Sequence, residues 1–160
     1  MANLSTQDPP GRRPFRAPPS ALIIRLYNLG FAPLLGWLIL LLTTTGRKSG
    51  LPRVTPLQYE MVDGQFYIGS ARGAQADWFC NILADPHVRV RVKSREFAAI
   101  AEPVTDYLRV ADFLELRLRR HPRMVGMILK SEGLPAKPSR PQLEAYARGL
   151  AMVIIRPISG

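Results

Sequence analysis

From His87 to Lys93 the chain reads His-Val-Arg-Val-Arg-Val-Lys, with valine at every second position and a cation between. A helix would scatter Val88, Val90 and Val92 around its surface, because successive side chains there turn by about 100°. A strand places them on one face and Arg89, Arg91 and Lys93 on the other. Residues 88–92 are therefore expected to form a half-buried strand with a basic outer face. Such a strand needs partners, and the neighbouring sequence supplies them. Lys93-Ser94-Arg95 turns the chain into a strand from about Glu96 to Val104. Val54 to Val62 and Gln65 to Ala71 flank Asp63-Gly64, a tight-hairpin dipeptide. A buried strand from about Trp37 to Thr45 and a last one from Leu150 to Arg156 bring the total to six.

Helical signals are fewer. Ala76 to Ala84 reads as a helix closed by Asp85-Pro86. Tyr107, Val110, Ala111, Leu114 and Leu118 recur at helical spacing after a Thr105 or Asp106 cap. Arg117, Arg119 and Arg120 crowd its C-terminal end, where cations are favoured. Residues 121–140 read as loop, punctuated by Gly and Pro, and a short helix is expected over about Arg140 to Ala147. Six strands joined mostly by short connections point to a small antiparallel barrel of the mixed α+β class.

With 160 residues and 47% hydrophobic content, the chain suits one domain with one core. Cys80 stands alone, which excludes a disulfide framework, and with only His87 and His121 besides, no metal site is expected. The formal charge of +10 implies a polyanionic partner: a phosphorylated or poly-carboxylate cofactor, nucleic acid, or an anionic membrane face. The aromatic-interleaved patterns of common RNA-binding folds are absent, which argues against nucleic acid. Cys80 is most simply a small buried apolar residue.

Residues 1–19 hold five prolines and Arg12, Arg13 and Arg16 without apolar periodicity, and read as a disordered basic arm ahead of a single domain over 20–160. Arg12-Arg13-Pro14-Phe15 has the look of a twin-arginine signal, but Arg25 interrupts the apolar region and no small-x-small site follows. A cytoplasmic location is expected. From Leu26 to Leu42 lie 17 residues without formal charge, broken by Asn28, Gly30, Pro33 and Gly36. Pro33 disfavours one unbroken helix, so an amphipathic helix over about Ser20 to Leu29, a turn and then a strand is the better parse. That helix either packs on its own barrel or lies, with the basic arm, on the inner face of the cell membrane.

Chemistry concentrates in Thr43-Thr44-Thr45-Gly46-Arg47-Lys48-Ser49-Gly50-Leu51-Pro52-Arg53-Val54-Thr55-Pro56-Leu57. Two glycines flank two cations and a serine between strands, with Arg53 three residues beyond. Such a turn offers backbone N–H groups, a hydroxyl and cations to one anion; the alternative is a solvated hairpin with surface charge. The G-x-x-x-x-G-K-[ST] spacing is absent, so nucleoside triphosphate chemistry is not implied.

This run resembles the signature of the deazaflavin-dependent nitroreductase family, split β-barrel oxidoreductases that use coenzyme F(420), 8-hydroxy-5-deazaflavin. Gly69-Ser70-Ala71-Arg72-Gly73-Ala74, then Asp77-Trp78-Phe79-Cys80-Asn81-Ile82-Leu83-Ala84-Asp85-Pro86, then the valine strand follow in the family's order. The resemblance covers about Leu41 to Val104. It implies a split barrel of flavin-reductase or pyridoxamine-phosphate-oxidase type. It also implies that Lys48 and Arg53 grip the cofactor phosphate, with Arg47 and Ser49 nearby. Thr55, Pro56 and Leu57 would run beside the ring; Ser70, Ala71, Arg72 and Gly73 would meet its edge or tail. Trp78 and Asn81 would face it from the helix, although on sequence alone Trp78 is as well read as core. Flavin mononucleotide (FMN) is the alternative cofactor.

The implied activity is hydride transfer from the reduced deazaflavin to a small hydrophobic acceptor, a quinone, enone or nitro compound; a non-catalytic carrier of deazaflavin or FMN is the alternative. Gln58 stands where the nitroreductases carry Tyr, and residues 121–140 contain Met124 and Met127 but no tyrosine. Gln58, Met124 and Met127 are therefore expected to line the acceptor pocket. His121 is a candidate proton donor, but its place after Arg119-Arg120 favours a helix-end or surface role.

Overall fold

The computed structural model describes residues 20–159. The basic arm expected over 1–19 lies outside them. Seven antiparallel strands form one sheet in the order β2-β1-β5-β6-β7-β4-β3. They are β1 (Ile39–Thr45), β2 (Pro52–Gln58), β3 (Glu60–Val62), β4 (Gln65–Ser70), β5 (His87–Val92), β6 (Arg95–Val104) and β7 (Ala151–Pro157). The strand expected over 54–62 is thus two. Its first part pairs with β1, Ile39 opposite Gln58, and its second with β4, Glu60 opposite Tyr67.

That split sets the architecture. In a flat sheet of this order β2 and β3 would lie roughly 29 Å apart at the usual strand spacing. They are joined by Tyr59 alone, so the sheet must curl until its two edges meet. The curl encloses one face of each strand. Leu40 and Leu42 of β1, Val88, Val90 and Val92 of β5, and Ala151, Val153 and Ile155 of β7 point into the barrel with Phe66, Ile68, Phe79 and Ile82. The alternation expected for β5 is observed: the three valines are inside, and Arg89 pairs with Glu96 on the outer face at 3.1 Å.

The outer face carries two further cores. Met152 and Ile154 of β7 pack under α4 (Tyr107–Arg120), α5 (Pro122–Ser131) and α6 (Arg140–Ala147), against Phe113, Leu114, Leu129 and Leu143. Asp106 caps α4 by accepting from the Leu108 N–H at 2.9 Å. Ser139 and Gln142 form a capping box on α6. Helix α5 corrects the loop expected over 121–140. Pro122 opens it, where a missing N–H costs nothing, and Met124, Val125, Ile128 and Leu129 give it an apolar stripe. Gly126 lies where an added Cβ would come within 3.1 Å of the Ala136 carbonyl oxygen, a packing reason for glycine inside a helix.

The N-terminal segment is a helix, α1 (Ser20–Leu26), a kink at Gly30 with φ of 98°, and one turn, α2 (Ala32–Leu35), carrying Pro33 in its first turn. It packs on the barrel wall over Leu41 through Tyr27 and Ala32, which answers one of the two alternatives for this segment. The Tyr27 hydroxyl is wholly buried; it donates to the Ile39 carbonyl at 2.7 Å and accepts from the Lys93 N–H at 3.2 Å. The bond thus ties the segment to both β1 and the end of β5. Tyr27→Phe leaves that carbonyl and that N–H without their partner. It is expected to lower stability by about 1–3 kcal/mol, read in urea unfolding as a lower midpoint with an unchanged slope.

Candidate functional site

The turn between β1 and β2 folds back on itself. The Gly46 N–H donates to the Leu51 carbonyl and the Gly50 N–H to the Gly46 carbonyl, both at 2.8 Å. Ser49 Oγ accepts from the Leu51 N–H at 3.2 Å. A Cβ on Gly46 would stand 2.7 Å from Ser49 Oγ, and Gly50 takes φ of 69°, so both glycines are required by the shape of the turn.

Helix α3 (Asp77–Ala84) holds this turn from the side. Asn81 is buried and fully used: Nδ2 donates to Thr44 Oγ1 at 3.1 Å, and Oδ1 accepts from the Arg47 N–H at 3.2 Å and from Arg47 Nη1 at 3.0 Å. Arg47 Nη2 meets Asp77 Oδ1 at 3.1 Å. Arg47 is therefore part of the scaffold, its charge already answered. Lys48 and Arg53 are not answered in this way: among the described residues neither has an ion-pair or hydrogen-bond partner. Arg53 Nε lies 3.5 Å from where a Gly46 Cβ would be, against the turn itself.

Both unpaired cations line one cleft of 570 Å³, together with Ser49, Thr55, Trp78 and Asn81. The volume is in the range of small-molecule sites. Two free cations, a serine hydroxyl and a tightly wound turn in one cleft make a site for a phosphate-sized anion. The structure thus brings together Arg47, Lys48, Ser49, Arg53, Thr55, Trp78 and Asn81 of the residues expected from the sequence.

It does not bring together the rest. Pro56, Leu57, Ser70, Ala71, Arg72 and Gly73 lie outside the lining of this cleft. Leu57 packs against the barrel core. Ser70 is buried, and its hydroxyl donates to the Gly73 carbonyl at 2.7 Å, closing its own loop. Gly73, at φ of 61°, packs where a Cβ would meet the Gly149 carbonyl at 2.8 Å, while Ala71 and Arg72 are exposed. Met124 packs against the outer core, and Met127 is exposed on α5. Cys80 is half-buried, its thiol against the Ala74 carbonyl at 3.2 Å, less enclosed than expected.

A second polar cluster was not expected from the sequence. Glu60, buried in the bend after Tyr59, meets His121 Nε2 at 3.0 Å, Arg120 Nη1 at 3.3 Å and Arg117 Nε at 3.6 Å. Arg117 Nη2 also donates to Gln58 Oε1 at 2.9 Å. His121 thus stands at the end of α4, as its place after Arg119-Arg120 favours, and there it partners a buried carboxylate. Burial depresses the Arg117 pKa, and the Glu60 charge works against that depression. The signal in the sequence is the spacing of 117, 120 and 121, which sets two arginines and a histidine on one helix face.

The family model for F(420)H(2)-dependent quinone reductases matches residues 30–124. An F(420)H(2)-dependent quinone reductase of Mycobacterium tuberculosis is 35% identical over 78 residues, 44% of this chain and 52% of that protein. The chain spans about half the length of the curated relatives it matches. Among solved structures, a protein assigned as a pyridoxamine 5'-phosphate oxidase from Listeria innocua superposes with a TM-score of 0.51 at 13% identity, covering 88% of this chain and 94% of that one. The haem storage protein HutZ of Vibrio cholerae gives 0.51 at 12% identity, covering 88% and 92%. These two likenesses establish the split-barrel fold. The family match takes in β1, the Gly46–Gly50 turn, α3 and the bend at Tyr59, and its description names quinones, one of the three acceptor types expected from the sequence. The chain belongs to the F(420)H(2)-dependent quinone reductase family.

Proposed function

We propose that this chain is an F(420)-dependent reductase that passes hydride to a small hydrophobic acceptor of quinone or enone type. The observation that carries the reading is the cleft beside the Gly46–Gly50 turn, where Lys48 and Arg53 stand unpaired within the stretch matched by the family model. The residues present suit the cofactor: a phosphodiester needs cations that no carboxylate already holds. In this reading Lys48 and Arg53 neutralise the phosphodiester, and Asn81 and Asp77 keep the turn in shape through Arg47. Trp78, half-buried and edge-on to Phe79 with ring centroids 6.0 Å apart, walls the cleft. Thr55, Pro56 and Leu57 carry β2 from the cleft toward Gln58, on the acceptor side. The reduced deazaflavin supplies the hydride when bound, so the chain has only to orient the two partners and exclude water. Family membership favours this over a non-catalytic carrier, and deazaflavin over FMN.

Titration with F(420) and FMN side by side tests the cofactor assignment, with tighter binding of F(420) expected. Lys48→Ala and Arg53→Ala should each weaken F(420) binding by roughly 1–3 kcal/mol, the range for charge-assisted hydrogen bonds. Unchanged affinity in both variants refutes the grip. On the acceptor side, the segment 121–140 offers no phenolic hydroxyl to hold a nitroimidazole. With reduced F(420), quinone or enone acceptors are expected to turn over faster than bicyclic nitroimidazoles. Equal or faster nitroimidazole reduction would show this preference to be wrong.

A further observation supports a place at the inner face of the cell membrane. Leu29, Phe31, Leu34, Trp37 and Leu38 are all exposed on the N-terminal segment, Leu34 at 73% and Trp37 at 71%. Between Pro9 and Tyr59 there are seven cations and no acidic residue. Exposed apolar side chains in a stretch of chain whose formal charges are all positive suit anionic lipid. Among the described residues no helix is long and apolar enough to cross a membrane, so the proposed contact is peripheral. Full-length protein should co-sediment with anionic liposomes in low salt, and deleting residues 1–19 should reduce the bound fraction. Absence of binding by the full-length chain sinks the proposal.

A further inference from the structure

Resting on the reading of the cleft as the F(420) phosphate site, we propose that Asp77 is a specificity-determining residue. By neutralising Arg47 it sets the cleft to take a phosphodiester in preference to a phosphomonoester. Three cations, Arg47, Lys48 and Arg53, and one carboxylate, Asp77, line that cleft. Arg47 Nη2 meets Asp77 Oδ1 at 3.1 Å. Lys48 and Arg53 have no ion-pair or hydrogen-bond partner among the described residues. An anion entering the cleft therefore meets the field of two free cations, beside a third whose charge is cancelled.

The ion pair is not what holds Arg47 in place. Its Nη1 donates to Asn81 Oδ1 at 3.0 Å and to the Asp77 carbonyl at 3.3 Å, and its backbone N–H donates to Asn81 Oδ1 at 3.2 Å. These bonds fix both the side chain and the turn, and none of them uses the Asp77 carboxylate. That carboxylate is 86% exposed, and an ion pair so open to water adds little stability. Asp77 also stands in the first turn of α3, where the helix dipole modestly favours a carboxylate. A neutral residue of the same shape would cost the fold little. What it would change is the charge of the cleft.

Phosphate esters differ in the quantity that this arrangement controls. A diester has two terminal oxygens sharing one negative charge, and one free cation can meet each of them. A monoester has three terminal oxygens and close to two charges at neutral pH, because its second proton leaves at about pH 6. The additional charge would fall to Arg47, whose own charge Asp77 already cancels. The Asp77 carboxylate, in the same cleft, repels it as well. F(420) carries a diester and FMN a monoester, so a single exposed carboxylate sorts the two cofactors by the charge on phosphorus.

The test uses full-length protein with bound oxidised F(420), whose displacement by two probes is followed by titration calorimetry. The probes are FMN and the cyclic phosphodiester of riboflavin, which share one ring system and differ in being monoester and diester. In Asp77→Asn the affinity for FMN should rise about tenfold more than that for the cyclic diester, the size expected for one added charge pair in a partly solvated cleft. Comparing each probe between wild type and variant cancels the difference in shape between the probes. The relative gain should fade as the pH is lowered from about 8 to about 5, where the monoester regains its proton. Loss of a merely structural contact would not follow the charge of the probe in this way. Asp77→Ser serves if Asp77→Asn does not fold. An equal change for both probes, a relative gain that persists at low pH, or displacement by neither probe from the variant overturns this inference, while F(420) binding leaves the cofactor reading standing. Failure of the wild type to bind F(420) overturns the cofactor reading and this inference with it.

Discussion

The bend at Tyr59 is the constraint on which the rest of this structure depends. One stretch of chain serves as both edges of a seven-stranded sheet, and it can do so only if the sheet closes around it. The corner is built from both sides. Inside, the Tyr59 ring packs into the barrel core against Phe66, with centroids 5.4 Å apart. Its N–H donates to the Leu38 carbonyl at 3.3 Å and its hydroxyl to the Gly36 carbonyl. Outside, the flanking residues Gln58 and Glu60 are held by the end of α4. Burial raises the Tyr59 pKa, aided by the nearby Tyr27 and the Glu60 charge, so the phenol remains a donor through the physiological range.

Closing the barrel by chain continuity rather than by strand pairing leaves β2 with one free edge. Natural sheets protect such edges, and β2 does so with Pro52, Pro56 and Arg53. An edge that pairs with no strand is also open to a ligand. The Gly46–Gly50 turn and α3 stand at one end of that edge, where the cleft lined by Arg53 and Thr55 opens, and the bend at Tyr59 stands at the other.

The parts of the fold legible in the sequence are those where one face of a strand is buried and the other is not. Val88, Val90 and Val92 could be placed for that reason, and the Asp63-Gly64 hairpin for its turn chemistry. The bend at Tyr59 carries no glycine or proline to announce it, and a strand-favouring tyrosine hides it. Helix α5 was obscured because Pro122 and Gly126 read as breaks, although a proline at a helix start and a glycine at a close contact with Ala136 are both compatible with helix. The resemblance implies a shared role for Lys48 and Arg53, and the hairpin sets both along one cleft. The Ser70 hydroxyl is the opposite case. A residue type suited to ligand contact was spent on an internal bond, as buried polar groups must be, and no pattern in one sequence distinguishes the two uses. The Glu60 cluster joins residues about sixty positions apart, a relation that only the folded chain displays.

The distribution of acids explains why the cleft keeps its charge. Of the twelve acidic residues, all but Asp8 lie at Glu60 or beyond. There they bind the scaffold's own arginines: Glu60 takes Arg117 and Arg120, Glu102 takes Arg109 and Arg156, and Asp112, Glu115 and Glu144 surround Arg140. The cations before Tyr59 have no acid within their own stretch of chain. Arg47 reaches one only because α3 delivers Asp77 to it. Lys48 and Arg53, a residue and a turn further on, are left in the cleft with no carboxylate partner among the described residues. A single carboxylate placed among residues 46–55 would neutralise that field without disturbing a strand, so the positive cleft follows from where the acids are absent as much as from where the cations stand.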